Sequence, residues 1–104
     1  MKQILLLTGL ILSMTLHAQN APKVNLYPNP ASTFVRISFS EVVQTDVTVV
    51  ISDILGNKIE TYTFKPSESV DIDLAALNLI NGLYLIKIQT GSTMVQKRLL
   101  VKHN

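Results

Sequence analysis

The chain has no cysteine and no tryptophan, and only three tyrosines, three phenylalanines and two histidines among 104 residues. Without cysteine there is no disulfide, no thiolate nucleophile, no cysteine-ligated metal and no lipid attached through a thiol. A small domain buries little surface and usually adds disulfides or a metal in compensation. Here an apolar core or a larger assembly has to hold the fold. Charge is equally sparse: the formal net charge is +2. Once Lys2 is set aside with the leader described below, eight Lys and Arg face seven Asp and Glu. That balance gives no electrostatic basis for binding nucleic acid or a general membrane surface. The four glycines are isolated, so there is no Gly-rich phosphate loop. The aromatics are too few for a base- or sugar-stacking platform. Nothing in the composition implies a cofactor.

One long apolar run is present, and it is N-terminal. Lys2 precedes Ile4 to Leu16, which only Thr8, Gly9, Ser13 and Thr15 interrupt. Leu16-His17-Ala18-Gln19 then offers a cleavage point between Ala18 and Gln19. This is the pattern of a secretory signal peptide over residues 1–18, with Leu16 standing where a small residue is preferred. The run is shorter than the roughly 20 residues of a membrane-spanning helix, so no stable membrane span is expected. The partners this implies are the general secretory translocon and signal peptidase. Residues 19–23 form a short lead-in, and residues 24–104 form one domain.

That domain reads as strands and turns. Val24-Asn25-Leu26 is a brief strand that Pro28 stops. Pro28 and Pro30 remove two backbone donors and push Tyr27 and Asn29 toward extended backbone, giving a stiff, non-helical entrance. Val35, Ile37 and Phe39 alternate with polar residues, as do Val47, Val49 and Ile51 with Thr48, Val50 and Ser52. Asp53-Ile54-Leu55-Gly56-Asn57 suits a type I turn, with Gly56 able to take positive φ. Lys58 to Phe64 is the partner strand; Tyr62 and Phe64 face one way and Ile59 the other, which an edge position or a bulge produces. Val70, Ile72 and Leu74 alternate with Asp71 and Asp73 on a solvent face. Leu74 to Ile80 allows one helical turn, ended by Asn81-Gly82. Tyr84, Ile86 and Ile88 line the next strand, and Thr90-Gly91-Ser92 is a hairpin turn. Thr93 to Val101 is the last strand, with Lys97 breaking its apolar alternation. Seven short strands with turns about every ten residues predict an all-β, antiparallel sandwich.

Catalytic chemistry is hard to place on this pattern. His17 lies in the leader, so His103, beside the C-terminus, is the one histidine left to act as a base. It reads as a solvated terminal residue. Asp71 and Asp73 lack a third oxygen ligand nearby and the glycines of a calcium loop. No enzyme activity is expected.

Four motifs, in order, carry a resemblance: Leu26-Tyr27-Pro28-Asn29-Pro30, Asp53-Ile54-Leu55-Gly56-Asn57-Lys58, Asn81-Gly82-Leu83-Tyr84-Leu85-Ile86 and Lys97-Arg98-Leu99-Leu100-Val101. From about Val24 to Lys102 the chain resembles the type A C-terminal sorting domain of the Bacteroidetes type IX (Por) secretion system. The resemblance implies an immunoglobulin-like sandwich that folds in the periplasm and is read by the outer-membrane type IX machinery as an export address. It implies that a sortase-like cysteine protease cuts upstream of the domain, and that cargo is attached to an anionic lipopolysaccharide at the cell surface or released. It implies, too, that the domain itself is bound and cut and does no chemistry. Residue by residue, the proline motif falls on Tyr27, Pro28, Asn29 and Pro30, and the turn glycine on Gly56. The penultimate-strand motif falls on Gly82 and Tyr84, and the basic end on Lys97, Arg98 and Lys102. Gly56 and Gly82 are expected to serve turns and Tyr84 to point inward. For the basic end two readings stand: direct docking, or a solvated edge that discourages strand pairing. The family's cargo domain has no evident counterpart between the leader and the motifs, which keeps a second reading open: a small secreted immunoglobulin-like binding module at the cell surface.

Overall fold

In a computed structural model the described residues are 23–104. The leader over residues 1–18, the Ala18–Gln19 cleavage point and all of the lead-in except Lys23 lie outside them.

Seven strands follow in chain order among the described residues: β1 (Val24–Tyr27), β2 (Phe34–Phe39), β3 (Val47–Asp53), β4 (Lys58–Phe64), β5 (Ser69–Asp73), β6 (Gly82–Thr90) and β7 (Thr93–Val101). They form two sheets, ordered β1-β2-β5 and β4-β3-β6-β7, with every neighbouring pair antiparallel. The chain changes sheet after β2, β4 and β5, so each sheet's apolar face is closed by the other. The core lies between them. Val35, Ile37, Val47, Val49, Ile51, Ile72, Ile86, Ile88, Leu99 and Val101 are essentially sealed from solvent. These are the inward positions of the period-two patterns, and β-branched side chains pack well there. The arrangement is an immunoglobulin-like sandwich, as the alternation predicts.

Two irregular stretches have local causes. Between β3 and β4 the register runs Ile51↔Glu60 and then Ser52↔Lys58, so Ile59 is the extra, bulged residue. β4 is also an edge strand. Together these account for the divided facing of Ile59 against Tyr62 and Phe64. Between β5 and β6 the single 3₁₀ turn, Ala75–Leu77, ends at Asn78 in the left-handed region (φ 51°), where its N–H donates to the Ala75 carbonyl. The expectation that Gly82 serves this turn is corrected: the left-handed residue is Asn78, and Gly82 opens β6, paired with Val101.

Strand direction sorts the loops into two poles. The β1–β2 loop, the β3–β4 turn, the β5–β6 link and the C-terminus share one pole. Lys23, the β2–β3 and β4–β5 loops and the Gly91-Ser92 hairpin turn share the other.

Candidate functional site

The four motifs converge on the first pole. Pro28 ends β1, and both the Tyr27–Pro28 and Asn29–Pro30 bonds are cis. Beyond them the chain does not simply turn into β2. It first crosses to the other sheet, where Ala31 makes a parallel bridge to Val101. The Ala31 N–H donates to the Leu100 carbonyl at 2.8 Å, and the Lys102 N–H donates to the Ala31 carbonyl at 2.9 Å. Ala31 is buried by this contact.

Asn29 makes the junction specific. Its Nδ2 donates to the Arg98 carbonyl at 3.2 Å, and its Oδ1 accepts the Leu100 N–H at 3.1 Å. A carboxamide carries one donor group and one acceptor, so a single side chain stands in for a neighbouring strand along β7's outer edge. An unpaired edge is a template for adventitious strand addition; from Arg98 to Lys102 that edge is closed. The proline motif and the basic end, about 70 positions apart, are thus one hydrogen-bonded unit. Asn29 is legible in the sequence as part of the motif, but this contact is not. The available signal was an amide side chain locked between two prolines.

The remaining motif residues support the same pole. In the β3–β4 turn, Asp53 Oδ1 accepts the N–H groups of Leu55 (3.0 Å) and Asn57 (2.9 Å), and Oδ2 accepts Asn57 Nδ2 (3.0 Å). These bonds, the Asn57 side chain first, hold the Asp53 carboxyl below its ordinary range. Gly56 closes the turn by donating to the Asp53 carbonyl at 3.0 Å with φ 91°, a conformation that favours glycine. Tyr84 is buried, as expected, and its hydroxyl donates to the Ile80 carbonyl at 2.7 Å. This is the tyrosine-corner bond of immunoglobulin-like sandwiches, which ties the incoming link to the penultimate strand.

In the basic end, Lys97 stands opposite Ile86 in register, on the face that also carries Leu99 and Val101, yet it is exposed because β7 is an edge. Arg98 and Lys102 are exposed as well. No Asp or Glu follows Asp73, so the β6–β7 hairpin and the tail are cationic throughout.

His103 is exposed, as expected, but it is fastened in place. Its N–H donates to Asn81 Oδ1 at 2.8 Å, Nε2 lies 2.9 Å from the Leu79 carbonyl, and Nδ1 lies 3.1 Å from Ser32 Oγ. A carbonyl only accepts, so Nε2 carries a hydrogen, and in the neutral ring Nδ1 accepts from the Ser32 hydroxyl. The tail is thereby fastened to both neighbouring loops, beside an open hollow of about 370 Å³. Among the described residues no group of three His, Asp or Glu side chains is placed to hold a metal, and no helix is long and apolar enough to cross a membrane.

The fold is an immunoglobulin-like sandwich whose four motifs gather at one end. The family model described as the secretion system C-terminal sorting domain matches residues 25–102, and the chain belongs to this family, that of type IX secretion sorting domains. The family is a non-enzymatic sorting signal, which supports a sorting role, an interaction with the type IX system, and export to the cell surface or extracellular space. Comparison with curated proteins gives no match.

Proposed function

We propose that this domain directs the polypeptide carrying it across the outer membrane. In this reading the type IX machinery grips the pole where the motifs meet, and the domain performs no catalysis of its own. The observation that carries the proposal is the Asn29 junction, which makes one surface of the proline motif and the basic end. The chain enters at the opposite pole, so a gripped motif pole leaves the N-terminal side, where the sortase-like protease cuts, facing away. Tyr27, Pro28, Asn29 and Pro30 form one wall. Gly56, Gly82 and Tyr84 set the loops beside it, and Lys97, Arg98 and Lys102 supply the charge. The general secretory translocon and signal peptidase act earlier, on residues 1–18.

The test fuses residues 19–104 behind a signal peptide and a fluorescent reporter in a type IX-competent host. Export to the surface or medium is expected, with periplasmic retention in a type IX-deficient strain. Retention in both hosts refutes the reading. Deleting Lys97 to Asn104 is a poor test of docking, because it also removes the core residues Leu99 and Val101. Replacing Lys97, Arg98 and Lys102 with glutamine leaves the core intact; unchanged export of that variant removes the docking role of the basic end.

A further inference from the structure

The motif pole also carries the most exposed apolar side chains. Leu55 is 84% exposed, Ile80 78% and Ile54 62%. Ile54 and Leu55 form the tip of the β3–β4 turn, just past the register pair Asp53↔Tyr84. Ile80 precedes β6, with its carbonyl held by the Tyr84 hydroxyl. One strand further, Leu83 and Leu100 stand opposite each other on the outer face of β6 and β7, both more than a third exposed. Five apolar side chains therefore run across the ends of three adjacent strands. Of the large exposed hydrophobics among the described residues, only Val42 and Met94 lie toward the other pole. Contiguous exposed apolar surface on a small domain marks an interaction site. Lys58, Arg98 and Lys102 flank it, all exposed. The nearest carboxylate, Asp53, is turned into its own loop by three N–H donors.

We infer that this patch is the contact surface of the sorting domain, and that its occupant is a protein of the export machinery presenting an apolar depression with an acidic rim. The inference rests on the sorting reading and adds where contact is made and with what chemistry. Charge complementarity selects the occupant. A bilayer fits less well: Lys97 shares the face of Leu99 and Val101 rather than that of Leu100, so three cations flank the patch, fewer than the roughly 4–8 that mark anionic-lipid binding. A second copy fits less well, because a two-fold contact brings like charges together.

The experiment takes the same reporter fusion with Leu55→Ser and Ile80→Ser together, a Val42→Ser and Met94→Ser control, and a Lys58→Gln, Arg98→Gln and Lys102→Gln variant. Thermal melts confirm that each folds. Binding to immobilised, detergent-solubilised outer-membrane complexes from type IX-competent and type IX-deficient strains is measured at low and high salt, beside export. The expected result is at least tenfold weaker binding and periplasmic retention for the Leu55/Ile80 variant, an unaffected control, and a flattened salt dependence for the glutamine variant. Equal binding and export of the Leu55/Ile80 variant overturns the inference while leaving the sorting reading standing. A parent fusion that is not exported removes both. Association with phosphatidylglycerol vesicles that the Leu55/Ile80 change abolishes, without any effect on complex binding, assigns the patch to lipid and overturns the proposal. A parent dimer that dissociates on the same change, seen by sedimentation, assigns it to self-association and does the same.

Discussion

Asn29→Ala removes the side-chain half of the junction between the two motifs and leaves the Ala31 bridge in place. The side chain makes two hydrogen bonds, to Arg98 O and from Leu100 N. Each is worth a net 0.5–1.5 kcal/mol, and both backbone groups sit at an exposed edge where water replaces the lost partner, so the loss is about 1–2 kcal/mol in total. For a domain of this size about 1 kcal/mol moves the melting temperature by roughly 4–8 °C, which gives a drop of roughly 5–15 °C by circular dichroism. Amide exchange at Leu100 should accelerate in parallel, because its acceptor is gone. Asn29→Asp separates the two bonds. One carboxylate oxygen still accepts the Leu100 N–H, while the other replaces the donor that faced the Arg98 carbonyl and repels it. Protonation restores that donor, so the deficit of the Asp variant should shrink as pH falls below the ordinary carboxylate pKa near 4. A melting temperature within about 1 °C of the parent for Asn29→Ala, given that dependence of 4–8 °C per kcal/mol, with unchanged Leu100 exchange, refutes the reasoning: the edge would then be closed by Ala31 alone.

Further perturbations separate the roles of neighbouring residues. Gly56→Ala places a side chain at φ 91° with open space around it, so its cost is purely conformational, about 1–2 kcal/mol. Gly82→Ala, with an ordinary φ and Tyr84 Cε2 at 4.0 Å, should stay within about 0.5 kcal/mol; urea midpoints distinguish the two, and equal losses contradict the assignment. Tyr84→Phe leaves the Ile80 carbonyl without its donor and should cost about 1 kcal/mol in the same assay. The Asp53 carboxyl is held low in the folded state. Its contribution to stability is present above the ordinary carboxylate pKa and is lost as pH falls through the depressed folded value. Asp53→Asn should therefore flatten the acid limb of the stability–pH curve, and an unchanged limb argues against these bonds.

Much of the fold was legible along the chain because strand burial has a period of two residues. Val35-Ile37-Phe39, Val47-Val49-Ile51 and Tyr84-Ile86-Ile88 each declare an inward face without reference to any partner. The Asp53–Gly56 turn was legible for a similar reason: its hydrogen bonds span four residues and its φ requirement falls on one. Legibility failed where local identity underdetermines pairing. Asn81-Gly82 has the composition of a turn, but Asn78 takes the left-handed conformation and Gly82 is claimed by Val101. His103 is exposed as expected, but its fastening was not legible because its holders, Ser32, Leu79 and Asn81, are distant in sequence or belong to another strand connection.

For the motif that opens the domain, the sequence alone determined a stop to the first strand, since two prolines remove donors and restrict their neighbours wherever they occur. It also determined the cationic hairpin and tail, because no acid follows Asp73. Only the tertiary structure decided that these two features form one surface. Odd and even loops of an antiparallel sandwich go to opposite poles, and the side chain of Asn29 happens to match, donor to acceptor and acceptor to donor, the backbone edge that the last strand leaves open there.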